Sequence, residues 1–252
     1  MDTIYLIPPI FFVISFVFSM IGMGGSQLYI PILFWMGLDF KTQAIPLGML
    51  LNVVTSSSAA FVYSRKKLIL WKIAIPFGIC MVIFAPIGAW VNLSLPTKPV
   101  ILIFAIFTAV AAILMLSGWK PGDTELSAPG RVVFGVSGGC ILGFFAGLIG
   151  RGGGSFVVPL LFIVGLDLKL AAATSAMVVT CSGLSSFISH IAIAAQPDWN
   201  LWACCVVAVF LGSQTGSRLM VERLKGNWIK TIFGVVLLGV AAILIVKDVI
   251  LG

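Results

Sequence analysis

Charge is scarce in this sequence. Only 15 Lys or Arg, 8 Asp or Glu and one His occur among 252 residues, so charged residues make up 9% of the chain. A soluble globular protein carries about 25% charged residues. Hydrophobic residues make up 60% of this chain, and the mean hydropathy is +1.18. The composition therefore excludes a water-soluble domain and predicts an integral membrane protein.

Signatures of metal and nucleic-acid binding are also missing. The few cysteines lie in apolar runs without metal-ligand spacing, and we interpret them as small hydrophobic residues: Cys80, Cys140, Cys181, Cys204 and Cys205. We therefore expect no metal and no cofactor. Although the net charge is +7, several basic residues cluster in two short loops beside helix ends, as cytoplasmic anchors do, which argues against nucleic acid as a partner.

Apolar runs long enough to cross a bilayer recur along the whole chain. About 20 residues span the hydrocarbon core, and runs of about this length lie at 4–21, 44–63, 73–93, 100–119, 132–149, 172–192, 201–221 and 229–246. They predict a multi-pass protein of the cell inner (cytoplasmic) membrane, with the lipid bilayer as its surroundings. The first run has neither a positive n-region nor a cleavage site, so we expect a retained helix there.

The chain contains an internal repeat. At an offset of 128 residues, "IGMGGSQLYIPILFWMGLDFKTQA" (21–44) aligns without a gap with "IGRGGGSFVVPLLFIVGLDLKLAA" (149–172), and 12 of the 24 positions are identical. The same offset pairs Ser57 with Ser185, Trp71 with Trp199 and Gly88 with Gly216. We therefore predict two transmembrane repeats, 1–120 and 131–252, joined by a cytoplasmic linker at 121–130.

Charge predicts that the two repeats are inverted. "SRKKLILWK" (64–72) is basic, whereas its repeat partner (194–200) has no basic residue. In the second half, 218–230 carries four basic residues where 90–99 carries one. Because cytoplasmic loops gather Lys and Arg, equivalent loops should lie on opposite sides. The predicted fold is an all-α integral membrane protein with two inverted repeats, each of four long transmembrane helices and one short Gly-interrupted segment. If those short segments are re-entrant hairpins, the halves run parallel instead.

The paired glycine segments predict a binding site for an anion. Gly-interrupted helices in corresponding halves are typical of secondary transporters, and a helix that begins inside the membrane presents unpaired N–H groups and a positive dipole end. Ser26 and Ser155 could cap the short helices, and Asn52 and Thr180 occupy equivalent positions on the next helices. The predicted substrate site comprises Gly24, Gly25, Ser26, Gln27, Asn52, Arg151, Gly152, Gly153, Gly154, Ser155 and Thr180.

Arg151 is the unusual residue of this site. A guanidinium within the membrane needs a counter-charge or water, and no acidic residue lies in its local segment. A small oxyanion is the partner that we favour, because the planar guanidinium suits sulfonate, sulfite or carboxylate. Alternatively, Arg151 pairs with a carbonyl or with Asp39, or lies at an interface. His190, the only histidine, is a candidate proton relay, although it could simply cap a helix end.

The doubled Gly-x-Gly-Gly segment, followed by Pro31 or Pro159 and then by Gly37 or Gly165, resembles the TauE/SafE sulfite exporter family. The resemblance covers nearly the whole chain. It implies a transporter for sulfite, organosulfonates or related organic anions, driven by the proton gradient. The first copy reads Gly-Met-Gly-Gly-Ser where the second reads Gly-Arg-Gly-Gly-Gly, so the charge of the second half is not mirrored in the first.

We therefore predict proton-coupled export of a small oxyanion by alternating access, with no catalytic residue. An anion channel of the same fold is the main alternative. An intramembrane hydrolase with a Ser155–His190 dyad is a weaker one, because a doubled binding segment has no role in such a mechanism. A second copy of the chain, in a homodimer, is a further partner that we consider.

Overall fold

The protein is described by a computed structural model, which covers residues 6–94, 128–149, 154–163, 165–192, 194–195 and 197–223 and isolated positions at 96–113 and 231–246. In this part of the chain, all regular secondary structure is helical. The helices are α1 (Ile7–Ile21), α2 (Ser26–Trp35), a π turn (Phe40–Ala44) that leads into α3 (Ile45–Arg65), α4 (Trp71–Ser94), α5 (Ala128–Ile149), α6 (Gly154–Ile163), α7 (Leu168–Ile191) and α8 (Trp199–Arg223).

Within the described residues, four helical segments are long and apolar enough to cross a membrane: Phe40–Arg65, Trp71–Val91, Leu168–Ile191 and Trp199–Arg223. Two shorter apolar stretches, Ile7–Ile21 and Val132–Leu148, accompany them. Large apolar side chains such as Ile79, Trp90 and Val207 are exposed on their outer faces, as expected of surfaces that contact lipid instead of water. The runs predicted at 100–119 and 229–246 lie outside the continuously described residues.

An aspartate is the N-cap residue of the π turn that leads into α3, and another is the N-cap residue of α7. The Asp39 carboxylate accepts hydrogen bonds from the Thr42 backbone N–H at 2.8 Å and from the Thr42 hydroxyl at 2.6 Å. These bonds lower the pKa of Asp39 below its ordinary value of 3.8. Asp167 likewise accepts from the Lys169 N–H at 3.1 Å. The Gly-Leu-Asp-x-Lys sequence of both repeats thus begins a helix by satisfying its first N–H groups.

The internal repeat of the sequence is also a repeat of structure. α2 and α6 have bounds that differ by 128 residues, and so do the first residues of α4 and α8. Gly88 of α4 packs against the Phe144 carbonyl oxygen of α5, and its repeat partner Gly216 packs against the Phe16 carbonyl oxygen of α1. A Cβ at either glycine would overlap that backbone oxygen. Equivalent glycines therefore permit equivalent close helix contacts in the two halves.

The pairing of helices reveals their directions. In the pairs α1·α8 and α4·α5, residue numbers rise together, as in the contacts Phe12–Gly212, Phe16–Gly216, Phe77–Gly139, Met81–Gly143 and Ala85–Gly147. The same holds for α3·α8, where Ser213 donates to the Thr55 carbonyl and Gln214 donates to the Ser58 hydroxyl. It also holds for α4·α7, where Gly78 lies beside Cys181 and the Ser185 hydroxyl donates to the Val82 carbonyl. Each of these pairs is parallel.

The central pair, α3 and α7, is antiparallel. Beyond the end of α3, the Leu70 N–H donates to the Thr174 hydroxyl near the start of α7 at 3.1 Å. At the opposite end, the Ala195 N–H beyond α7 donates to the Thr42 carbonyl before α3 at 3.0 Å. Together with the parallel pairs, this places α1, α3 and α8 in one direction and α4, α5 and α7 in the other.

One end of the bundle is strongly basic. The end of α3 and α8 and the start of α4, α5 and α7 lie there, and they carry eight of the nine Lys and Arg residues of the described part of the chain. We call this the basic end, and its residues are Arg65, Lys66, Lys67, Lys72, Arg131, Lys169, Arg218 and Arg223. The opposite end carries Lys41, together with the Asp39 and Asp198 caps.

Candidate functional site

The glycine segment of the first half connects α1 to α2 by a sharp reversal. Gly22 and Gly24 have φ values of +73° and +81°, a left-handed conformation that favours glycine. The Gly22 N–H bonds back to the Ser19 carbonyl at 3.2 Å and closes α1. A Cβ at Gly24 would overlap Asn52 Oδ1. Glycine at 24 is therefore required both by the turn and by the side chain beside it.

Asn52 of α3 caps the N-terminus of α2. Its Oδ1 accepts the Gly25 N–H at 3.0 Å and the Ser26 N–H at 3.3 Å. This corrects the prediction that Ser26 caps the short helix: Gly25 is the N-cap position, Ser26 is the first helical residue, and no side chain of the cap residue contributes. The acceptor comes instead from a helix 26 residues further along the chain. Two of the N–H groups that we expected to face an anion therefore already contact a neutral oxygen.

This cap lies deep in the protein. Asn52 is halfway along the span Phe40–Arg65 and is 0% exposed. Its Nδ2 points toward α7, where a Cβ added at Gly183 would lie 3.0 Å away. Nδ2 is buried and has no hydrogen-bond partner among the residues that the structure describes. Because buried donors are nearly always paired in proteins, an unpaired amide at this depth indicates a place for a polar ligand or water.

Hydroxyl groups surround the cap. The Tyr29 hydroxyl of α2 lies 3.0 Å from the Thr55 hydroxyl of α3, and Thr55 in turn donates to the Leu51 carbonyl at 2.8 Å. At the end of α1, the Tyr63 hydroxyl donates to the Ser19 carbonyl. Both tyrosines are fully buried. These bonds fix α1 and α2 against α3, so the position of the α2 N-terminus is set by packing on a spanning helix.

The inner face of α7 supplies further unpartnered polar atoms. The Ser175 and Ser186 hydroxyls and His190 Nε2 are buried, and within the described part of the chain they have no hydrogen-bond partner. His190 Nδ1 lies 2.8 Å from the Ser186 carbonyl. With Nδ1–H as the donor, Nε2 is the acceptor nitrogen. His190 is thus a buried residue of the α7 face and does not cap the helix at the protein surface.

The structure brings together one half of the predicted site. Gly24, Gly25, Ser26 and Asn52 meet directly, and Gln27 is buried in the same first turn of α2. Thr180 is not equivalent to Asn52 in its contacts, because it is only half-buried and donates to the Ala176 carbonyl of its own helix at 2.7 Å.

In the second half, Gly154 is the first residue of α6. Arg151, Gly152 and Gly153 lie outside the described residues, as does the side chain of Ser155.

Several site residues were not predicted. Tyr29, Thr55, Ser175 and Gly183 line the cap or the α7 face. Tyr29 lies in an apolar helix, and the other three lie in stretches rich in Ser, Thr and Gly, which close helix packing explains equally well. The repeat could have found one of them, since Thr55 and Gly183 occupy equivalent positions at the 128-residue offset. In the part of the chain that the structure describes, no three His, Cys, Asp or Glu side chains group to hold a metal ion.

The fold and the site together indicate the class of protein to which this chain belongs. Helices of membrane-spanning length occur in two structurally related halves, and a short helix begins in the interior beside an unpaired polar group. These are the features of a multi-pass membrane transport protein. The chain belongs to the sulfite exporter TauE/SafE family, which it matches over residues 7–244.

Relatives with transporter names come from distant organisms. The chain is similar to the probable membrane transporter protein MJ0441 of Methanocaldococcus jannaschii, with 28% identity over 192 residues, 71% of this chain and 69% of the relative. It is also similar to the probable membrane transporter protein YunE of Bacillus subtilis, with 24% identity over 92% of this chain and 93% of the relative. The protein is thus a membrane transporter of this family. No solved structure matches the chain.

Proposed function

We propose that the protein is a secondary transporter that moves a small oxyanion, such as sulfite or an organosulfonate, across the cell inner membrane by proton-coupled alternating access. The observation that supports this proposal is Asn52 Nδ2, a fully buried donor without a partner in the described residues, which lies beside a helix N-terminus halfway along a helix of membrane-spanning length. An anion placed there gains that donor and the positive end of the α2 dipole.

The two halves act as inverted repeats, 1–120 and 131–252, joined by the cytoplasmic linker 121–130. The antiparallel α3·α7 pair supports this arrangement, since these helices are repeat partners. The basic end then faces the cytoplasm, in agreement with the bias of Lys and Arg toward cytoplasmic loops. An axis between α3 and α7 passes close to Asn52 and Gly183, so the proposed site lies where the two halves rock against each other.

The substrate is an anion because the groups available to it at the N-terminus of α2 are a donor, Asn52 Nδ2, and the positive end of the helix dipole. Asn52 Oδ1 holds the α2 amides and leaves Nδ2 to face the ligand. Arg151 of the second repeat, outside the described residues, supplies the charge, and the amides of Gly152, Gly153, Gly154 and Ser155 complete the cradle. A planar guanidinium matches the oxygens of sulfite, sulfonate or carboxylate in a bidentate contact.

His190 is the proton carrier of this mechanism. Its unpartnered Nε2 is buried on the α7 face, together with the Ser186 hydroxyl, between the site and the end of α7 opposite the basic end. A buried imidazole with a free acceptor nitrogen can take up a proton and release it when its surroundings change. The closed packing around Asn52, Ser26 and Thr55, all buried, favours a carrier with an occluded state over an open channel.

Uptake of labelled sulfite and sulfoacetate into proteoliposomes tests the proposal. Wild-type protein should give saturable transport that is accelerated by a proton gradient. Arg151→Gln should abolish it, whereas the control Lys169→Gln, which neutralises a basic residue at the membrane surface, should retain it. Thermal unfolding with each anion measures binding separately, because a ligand bound only by the native state raises its stability. Unchanged uptake by Arg151→Gln would exclude its role, and flux that does not saturate would favour a channel.

A further inference from the structure

Two grooves on the lipid-facing surface are related by the internal repeat. One lies between α3 and α8 and has a volume of about 760 Å³. The other lies between α4 and α7 and has a volume of about 260 Å³. Val206, Val207, Phe210 and Leu211 of the first groove are the repeat partners of Gly78, Ile79, Val82 and Ile83 of the second.

The grooves differ at the end near the basic residues. The α3·α8 groove includes Gln214 and Arg218, whereas the repeat positions on α4 are Pro86 and Trp90. Gln214 Nε2 donates to the Ser58 hydroxyl at 2.8 Å, and Arg218 Nη2 donates to Gln214 Oε1 at 3.3 Å. The second groove is lined almost entirely by apolar groups. The repeat has therefore placed a guanidinium and an amide in only one of two related grooves.

A second guanidinium lies beside the same groove. Arg65 stacks on the ring of Phe61, a groove residue, with the guanidinium carbon 4.4 Å from the ring centroid. Glu222 is one turn beyond Arg218 on α8, but Arg223 follows it, and Lys66 continues the positive charge from α3. The end of the groove thus has a net positive charge, and in the described part of the chain the partners that contact the two guanidiniums, Gln214 and Phe61, are neutral.

The rest of the groove is apolar and open to the membrane. Phe61 is 55% exposed and Val207 is 57% exposed, and Phe210 and Leu211 are exposed beside them. A small hydrated anion gains nothing from such walls, but an acyl chain does. The long axis runs from these apolar residues toward Arg218, because α3 and α8 are parallel and both end at the basic end.

We propose that the α3·α8 groove binds one anionic phospholipid from the leaflet at the basic end. The phosphate-bearing headgroup contacts Arg218 and Arg65, while Gln214, held by Ser58, orients the Arg218 guanidinium. One acyl chain lies along Val207 and Phe210. Basic pockets between helix ends recognise anionic headgroups in this way, and the long arginine side chains reach the membrane interface. Because α8 of the second half packs on both α1 and α3 of the first, the bound lipid contacts one of the helix pairs that join the two halves.

The test compares two lipids that share acyl chains and differ in headgroup charge. Protein purified in a neutral detergent is titrated with dioleoyl phosphatidylglycerol or dioleoyl phosphatidylcholine. Native mass spectrometry counts bound lipids, and thermal unfolding follows stability. We expect one phosphatidylglycerol molecule to be retained in preference to phosphatidylcholine. Arg218→Gln should weaken its retention about fivefold, since one basic residue contributes about that factor to anionic lipid binding. Arg223→Gln, on the same helix but outside the groove, should reduce retention much less than Arg218→Gln does.

A steric variant separates the groove from the headgroup contact. Val207→Trp fills the apolar part while Arg218 remains, and it should reduce phosphatidylglycerol retention without neutralising any charge. Glycerol-1-phosphate, which has the phosphate but no acyl chain, should not compete. Equal retention of both lipids, an equal loss in Arg223→Gln and Arg218→Gln, or competition by glycerol-1-phosphate would each overturn the proposal.

Discussion

Replacing Asn52 separates its structural contacts from its role in anion binding. Asn52→Leu keeps a side chain of similar size but removes Oδ1, the acceptor for the Gly25 and Ser26 N–H groups. Each buried donor left unpaired costs about 1–3 kcal/mol, so the loss is roughly 2–6 kcal/mol. Removing the unpartnered Nδ2 offsets about 1–3 kcal/mol of this. We therefore expect a net destabilisation of about 1–3 kcal/mol.

Asn52→Asp has the opposite effect on the two properties. A carboxylate keeps both acceptor contacts and lies at the positive end of α2, so stability should be retained. It also places a negative charge where the substrate would bind. At about 4 Å and an effective dielectric constant of about 20, the repulsion is about 4 kcal/mol, which corresponds to roughly a thousandfold weaker anion binding.

Equilibrium unfolding in mixed micelles, followed by tryptophan fluorescence, and uptake into proteoliposomes measure the two effects. Thr180→Val is the matched control at the repeat position, because Thr180 bonds only to the Ala176 carbonyl of its own helix in the contacts described above. It should change stability by less than about 1 kcal/mol. Wild-type stability of Asn52→Leu would refute the cap, and wild-type transport by Asn52→Asp would refute the anion site.

Three further predictions concern the turn, the helix cap and the topology. In chemical unfolding, Gly24→Ala should destabilise the protein by more than Gly37→Ala. Both glycines have positive φ, which costs about 1–2 kcal/mol for alanine. At Gly24 the added Cβ would also overlap the Asn52 side chain, whereas the Cβ at Gly37 would enter open space. Equal losses would contradict the packing around Asn52. Asp39 has a pKa below 3.8 because of its bonds to Thr42, so its contribution to stability is present above its unfolded pKa and is lost as pH falls through the folded value. Asp39→Asn should therefore show a smaller loss of unfolding midpoint than wild type between pH 5 and pH 3, and identical slopes would be inconsistent with the cap. In a cysteine-free background, Asn200→Cys should react with an impermeant maleimide on intact cells, whereas Lys66→Cys should react only after permeabilisation, and the reverse pattern would place the basic end outside.

The sequence predicted the repeat because the physical constraints that shape it are local. Glycine at 22 and 24 is required by backbone conformation, and glycine at 88 and 216 by close contact with a backbone oxygen. Any other residue at these positions would be strained. The glycines are therefore identical in both halves, and the repeat can be recognised from the sequence. Asp39 and Asp167 can also be recognised from the sequence because their role is local: each accepts a hydrogen bond from an N–H group two or three residues away.

The partner of the α2 N-terminus could not be assigned from sequence. Ser26 was the nearest polar residue and therefore the predicted cap, but the acceptor is Asn52, which reaches α2 through tertiary packing. Asn52 was recognised as unusual because a buried amide is hard to explain by helix packing alone. Its contact with Gly25 depends on how α2 lies against α3, and the different environment of Thr180 depends on how α7 is packed. Neither can be deduced from the spacing of residues in the sequence.

Anomalous diffraction from crystals grown with selenite, a heavier analogue of sulfite, tests the central claim most directly. We predict one selenium peak between the N-termini of α2 and α6, with a selenite oxygen within hydrogen-bonding distance of Asn52 Nδ2, and loss of that peak in Arg151→Gln crystals. A peak confined to the surface of the basic end, with the interior beside Asn52 and Gly183 filled by packed side chains, would contradict it.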